Sequence, residues 1–194
     1  MKTEQMCWSA TGGWVRPPPA ALGESADLVI AFAARDILEG DRAPLRAIRE
    51  CYPRAEIIGC STAGEILGTT VSDDTLVATA IAFEATRVET ACIEIAGSAE
   101  SRTCGEALAR RLLKDDLSHI LVLSDGLHVN GSELVEGMRR AVPEHVAVTG
   151  GMSGDGDRFE KTLVLRHSKC ATNLIVAVGL YGSRLHVGLG LGWH

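Results

Sequence analysis

Aromatic side chains are scarce in this chain: three Trp, two Tyr and three Phe among 194 residues. Proteins that grip nucleic acid stack bases on aromatics set between Lys and Arg, and neither part of that arrangement is present. The 19 basic residues form no cluster and are outnumbered by 25 acidic ones, for a net charge of -6, so no nucleic-acid partner is expected. Also missing is any apolar run near the roughly 20 residues that a membrane helix needs. The first nineteen residues lack the apolar centre of a secretory signal, and the expectation is a soluble, cytoplasmic protein with no membrane partner. The six cysteines (Cys7, Cys51, Cys60, Cys92, Cys104 and Cys170) stand singly. There is no Cys-x-x-Cys and no His pair at zinc-ligand spacing, which argues against a zinc site. Without an export signal they are expected to be reduced thiols, small buried hydrophobes apart from Cys60, which differs by position.

What is present is a 46% hydrophobic chain, long enough for one sizeable core. One domain is expected over 27–194, preceded by an N-terminal arm, 1–26, in which Pro17, Pro18 and Pro19 discourage regular structure. Residues 27–33 read as a buried strand. Pro44 at a first-turn position, with Leu45, Ile48 and Tyr52 at helical spacing, predicts a helix over 42–51 that stops before Pro53. Segments 76–84 and 88–96 alternate around a short Ala85-Thr86 link and predict an antiparallel hairpin. Cys104, Ala107, Leu108 and Leu112 share one face of a helix over 100–114, with Arg110, Arg111 and Lys114 near its end. The apolar run 120–123 predicts a central strand, and Asn130 with Glu133 resembles a capping box opening a helix that ends at Pro143. Strands at 161–167, 174–181 and 185–189 complete the reading. The expected fold class is α/β: a mixed sheet with parallel crossovers plus antiparallel hairpin strands, and helices covering the sheet.

Three polar, glycine-bearing loops each follow a strand-like segment. They are Gly59-Cys60-Ser61-Thr62-Ala63-Gly64-Glu65, Ser124-Asp125-Gly126-Leu127-His128-Val129-Asn130-Gly131-Ser132, and Thr149-Gly150-Gly151-Met152-Ser153-Gly154-Asp155-Gly156-Asp157. An open parallel sheet places its ligand crevice beyond the carboxyl ends of its strands, so the loops are expected to gather at one edge. There they offer backbone N–H groups, hydroxyls, carboxylates, an amide, a thiol and an imidazole, a set suited to recognising a small polar ligand. The candidate ligand-binding residues are Cys60, Ser61, Thr62, Gly64, Glu65, Asp125, Gly126, Asn130, Gly131, Ser132, Gly150, Gly151, Gly154 and Asp155. Glycine N–H groups would bind an anionic end of the ligand, Asp125 or Glu65 an amino group, and Ser61, Thr62 and Asn130 would fix its orientation.

These loops, with the closing Gly192-Trp193, resemble the N-terminal domain of the FIST family from about Asp27 onward. The resemblance implies a bacterial intracellular sensory domain working with signalling proteins such as histidine kinases, cyclic-dinucleotide enzymes and chemotaxis receptors. It implies a small-molecule ligand, an amino acid being one proposal, and a non-enzymatic role. Some members are haem proteins that sense nitric oxide, which would make haem b a cofactor. His128, the histidine on a predicted crevice loop, is then the candidate iron ligand. Full members continue into a C-terminal FIST module, which this sequence does not contain.

Two other classes of function stand beside this one. Cys60 is the candidate nucleophile of a cysteine-dependent enzyme, but no base is assignable and no catalytic signature surrounds it. The loop around Asp155 lacks the Gly-Lys-Ser/Thr of a phosphate loop and the spaced carboxylates of a calcium loop. A structural module docking a C-terminal FIST domain is the third class, favoured if the loops are dispersed.

Overall fold

The computed structural model describes residues 1–182. The expected strand at 185–189, together with His186, Gly192, Trp193 and His194, lies outside the described residues.

The chain opens with a hairpin, β1 (Lys2–Ser9) and β2 (Gly13–Arg16), and continues through β3 (Leu28–Ala33), α1 (Arg35–Glu39), α2 (Ala43–Cys51) and β4 (Glu56–Ser61). A small hairpin, β5 (Glu65–Leu67) and β6 (Thr70–Ser72), leads into β7 (Thr75–Ala82) and β8 (Arg87–Glu94). Then come α3 (Ser101–Leu112), β9 (Leu117–Ser124), α4 (Gly131–Ala141) and β10 (Ala147–Met152). β11 (Val164–Arg166), β12 (Lys169–Ala171) and β13 (Leu174–Tyr181) end the described part.

The fold is α/β with mixed pairing, as its sequence pattern predicts, but it is built on two main sheets rather than one. The first runs β12-β11-β4-β3-β7-β1-β2, with β3 and β4 parallel. The second runs β10-β9-β13-β8, with β9 and β10 parallel. Three apolar clusters show the layering. Val29, Ala31, Ile57, Leu76 and Ala78 of the first sheet pack with Ile37 and Leu38 of α1 and Leu45 and Ile48 of α2. Ile120, Val122, Ile175 and Ala177 of the second sheet pack with Leu108 of α3 and with Leu134 and Met138 of α4. Between the sheets lie Ile58, Cys60, Val164, Leu123, Leu174, Val176 and Val178. The order is helices, sheet, sheet, helices. Each fully buried Leu or Ile stabilises this stack by about 1.5–3 kcal/mol.

The expected hairpin across Ala85-Thr86 does not form. β7 pairs with β1 and β3 in the first sheet, whereas β8 pairs with β13 in the second. Alternation along each strand reads the same whether the two strands pair or belong to facing sheets, so the link is a crossing between layers. Residues 1–26 are joined to the core: β1 pairs with β7 along its whole length, and Glu4 accepts from the Tyr52 hydroxyl and the Leu22 N–H. No helix among the described residues is long and apolar enough to cross a membrane.

Candidate functional site

The carboxyl ends of β4, β9 and β10 meet. β4 continues through Gly59, Cys60 and Ser61, so the first loop begins only at Thr62. The Ser61 hydroxyl donates to the Gly154 carbonyl at 2.7 Å and accepts from the Leu163 N–H, while the Gly154 N–H donates back to the Ser61 carbonyl. Ser153 donates from both N–H and hydroxyl to the Ser124 carbonyl, and the Gly126 N–H donates to the Thr162 hydroxyl. A Cβ at Gly126 would stand 2.0 Å from the Ser153 carbonyl oxygen, so only glycine allows this approach. Segment 153–163 thus ties the first loop to the second.

Within this junction the candidates have different surroundings. Cys60 is 2% exposed in the inter-sheet core, and burial pushes its thiol up to about 12, which removes the thiolate a nucleophile needs. Asp125 is buried inside its own turn. Its carboxylate accepts from the N–H groups of Leu127, His128 and Asn173 and meets His128 Nδ1 at 3.1 Å. Burial alone would raise its pKa, but these donors outweigh burial and hold it below the usual carboxylate range. Asn130 caps α4 by accepting from the Glu133 N–H, while the Glu133 side chain reaches Arg102 instead of closing a capping box. Gly131 opens that helix against Met152, and Ser132 is exposed on its first turn. Gly150 and Gly151 belong to β10 rather than to a loop, and a Cβ at Gly150 would collide with the Val122 carbonyl.

Asp155 is buried and holds its own loop together. Arg35 Nη1 and the N–H groups of Glu160 and Lys161 donate to Oδ2, each at 3.0 Å, and Arg158 pairs with Oδ1 at 3.1 Å. Its pKa too stays low although burial opposes it, through those backbone donors and the two guanidiniums.

Thr62, Gly64 and Glu65 are the candidates that line the crevice beside this junction. They line a crevice of about 770 Å³ with Ala34, Arg35, Asp36, Ala63, Asp73, Asp74, Gly156, Asp157, Arg158 and Phe159. Glu65 is only 2% exposed and also borders two neighbouring cavities. Its carboxylate accepts from the Thr62 hydroxyl at 2.5 Å and from the Thr75 hydroxyl and N–H at 2.8 and 3.2 Å. Three neutral donors surround it, and among the described residues no cation pairs with it. Both cations of the crevice are already engaged: Arg35 with Asp155, Asp36, Glu39 and Glu160, and Arg158 with Asp36 and Asp155. Asp73, Asp74 and Asp157 have no ion pair among the described residues, so the unmatched charge of this cavity is negative.

Arg35, Asp36, Asp73, Asp74, Arg158 and Phe159 were outside the sequence candidates. The crevice rule applied to the end of β3 would have found Arg35 and Asp36, because they follow it directly. Asp73 and Asp74 arrive through the short β5–β6 hairpin, whose three-residue strands leave little periodic signal.

The His128 ring is half exposed on a polar turn and paired with Asp125, and it borders neither the crevice nor the adjoining apolar groove. That groove, about 550 Å³, is lined by Gln5, Ile30, Phe32, Thr62, Gly64, Glu65, Ile66, Val77, Thr79 and Ile81, none of them a side chain that commonly holds haem iron. These surroundings do not fit a haem on His128. Among the described residues no group of three or more His, Cys, Asp and Glu is placed to hold a metal ion.

A family model described as FIST N domain matches residues 27–194. A search of curated proteins returns no match to the chain.

Proposed function

The chain belongs to the FIST family through its N domain, a sensory module of signal transduction with a small-ligand-binding role, and on that premise we propose that its ligand carries a positively charged amino group and sits in the crevice at Glu65. Glu65 carries this reading. A carboxylate withdrawn from water loses solvation that hydroxyl and amide donors replace only in part, and a cation at the cavity wall completes the replacement. Asp73, Asp74 and Asp157 add to the attraction at the rim.

An amino acid satisfies this site at both ends. Its ammonium would meet Glu65 and the rim carboxylates, and its carboxylate would meet the backbone N–H groups of Ala63 and Gly64. Occupancy would then alter the arrangement of loops 62–65 and 153–159, which a signalling partner such as a histidine kinase or a cyclic-dinucleotide enzyme would feel. The cysteine-enzyme alternative loses its support with Cys60 buried and protonated.

Titration calorimetry of the chain with amino acids, simple amines and carboxylate-only analogues tests this. Amine-bearing ligands are expected to bind, and Glu65→Gln to weaken them by about 10- to 100-fold, the loss of one charge-assisted contact. Binding confined to carboxylate-only compounds, or unchanged by Glu65→Gln and by Asp73→Asn, would overturn the assignment.

A further inference from the structure

The crevice and the apolar groove beside it share a wall, formed by Thr62, Gly64 and Glu65. Strand register places that wall at one end of the groove. Thr75, Val77, Thr79 and Ile81 alternate onto one face of β7, and Thr75, the first of them, donates its hydroxyl to Glu65. Val77 follows one same-face step of about 7 Å farther on, opposite Phe32 of β3, and Ile30 stands opposite Thr79. At the end of β3 the Thr62 N–H donates to the Ala33 carbonyl, which holds the wall next to Phe32. An apolar floor therefore begins beside a buried carboxylate.

The floor is almost all hydrocarbon. Ile30, Phe32, Ile66, Val77 and Ile81 supply it, and Phe32 is 37% exposed. Gln5 and Thr79, the polar residues on the floor, are cross-strand partners, with Gln5 Nε2 3.5 Å from the Thr79 hydroxyl. Among the described residues that line the groove, Glu65 alone is charged. A polar group laid here gives up water and finds few partners, whereas an apolar group gains with every methylene it removes from water. The volume of about 550 Å³ is that of a small-molecule site.

We infer that the crevice and the groove are two halves of one site, and that its ligand is a primary amine carrying a large apolar group, an amino acid with such a side chain included. The ammonium sits at Glu65, and the apolar group lies along Phe32, Val77 and Ile30. This ligand class rests on the assignment of the ammonium to Glu65 and adds the selection among amines: charge fixes one end, and the hydrocarbon floor decides which substituent is kept.

Titration calorimetry of the full chain with ethylamine, propylamine, butylamine and pentylamine, which lengthen the apolar group one methylene at a time, tests the inference. Affinity is expected to rise about three- to fourfold per methylene. Pentylamine should bind at least about tenfold more tightly than 4-amino-1-butanol, which has the same length but a polar end. Phe32→Ser, and separately Ile66→Ser at a rim position 64% exposed, should each reduce the pentylamine-to-ethylamine affinity ratio by about threefold or more. Glu65→Gln should weaken the whole series by one common factor and leave that ratio in place. A series flat with chain length, the amino alcohol binding as tightly as pentylamine, or a ratio that both serine substitutions leave unchanged would overturn the inference. The ammonium assignment survives each of those results as long as Glu65→Gln weakens every amine. Binding by none of the amines, or a rising series that Glu65→Gln does not weaken, would instead overturn the ammonium assignment and the ligand class with it.

Discussion

Two candidate residues one strand position apart show how little a residue's type says about its task. Cys60 points into the inter-sheet core and Ser61 points the other way, where its hydroxyl bridges Gly154 and Leu163. Native protein treated with iodoacetamide at neutral pH should leave Cys60 unlabelled, and labelling should appear only with unfolding. Fast labelling of Cys60 itself in the folded protein would contradict its raised thiol pKa. Ser61→Ala should destabilise the protein by about 1–3 kcal/mol in urea unfolding, because the Leu163 N–H is buried and loses its acceptor. The position of these residues just before a glycine-bearing loop was legible, whereas the strand's continuation through Ser61, which decides which side chain meets solvent, was not. The sequence makes Glu65 a candidate, yet its weight comes from Thr62, from Thr75 and from the lack of a paired cation among the described residues, and of these only Thr62 is a neighbour in sequence.

Elements were read best where periodicity and punctuation agree. α2 with Pro44 in its first turn, α3 with Arg110 and Arg111 at its end, and α4 capped by Asn130 all fall within a residue or two of expectation. Asn130→Ala should cost about 1 kcal/mol, seen as a lowered thermal midpoint with ligand binding unchanged, because the amide serves the helix end and does not line the crevice. A change in ligand affinity comparable with that of Glu65→Gln would show instead that Asn130 touches the ligand. Pairing partners were less legible than elements. β7 and β8 each show a clear strand pattern, yet which sheet each joins depends on β1 and β13, distant in sequence. Loops 62–65 and 153–157 come together beside the Ser61–Gly154 contact at the end of β4. The second loop meets them through Gly126, with the Asp125 side chain turned into its own backbone.

At the scale of the whole molecule, buried titratable groups make stability depend on pH in two separate steps. His119 is buried on β9, its Nε2 2.8 Å from the Thr149 hydroxyl and its Nδ1 without a partner among the described residues, and burial lowers its pKa below the ordinary 6.5. His167 is lowered as well, by burial first and by the neighbouring Arg166 and Arg49, against the pull of Glu56. For a group that binds its proton more weakly when folded, the unfolded chain takes up more protons, so stability is full above about pH 6.5 and falls as pH drops below it. Asp125 and Asp155 act lower. Their folded pKa values lie below 3.8, so their contribution persists through neutral pH and is lost only as pH falls below that value. Urea unfolding at several pH values should therefore show a plateau above about pH 7, a first decline beginning near pH 6.5, and a second, steeper one below about pH 4. His119→Gln should flatten the first decline and leave the second in place, while Asp155→Asn should lower the plateau and weaken the second. A midpoint that rises as the pH falls from about 7 to 5 would mean that these imidazoles gain a partner on protonation, and the burial argument for His119 would then be wrong.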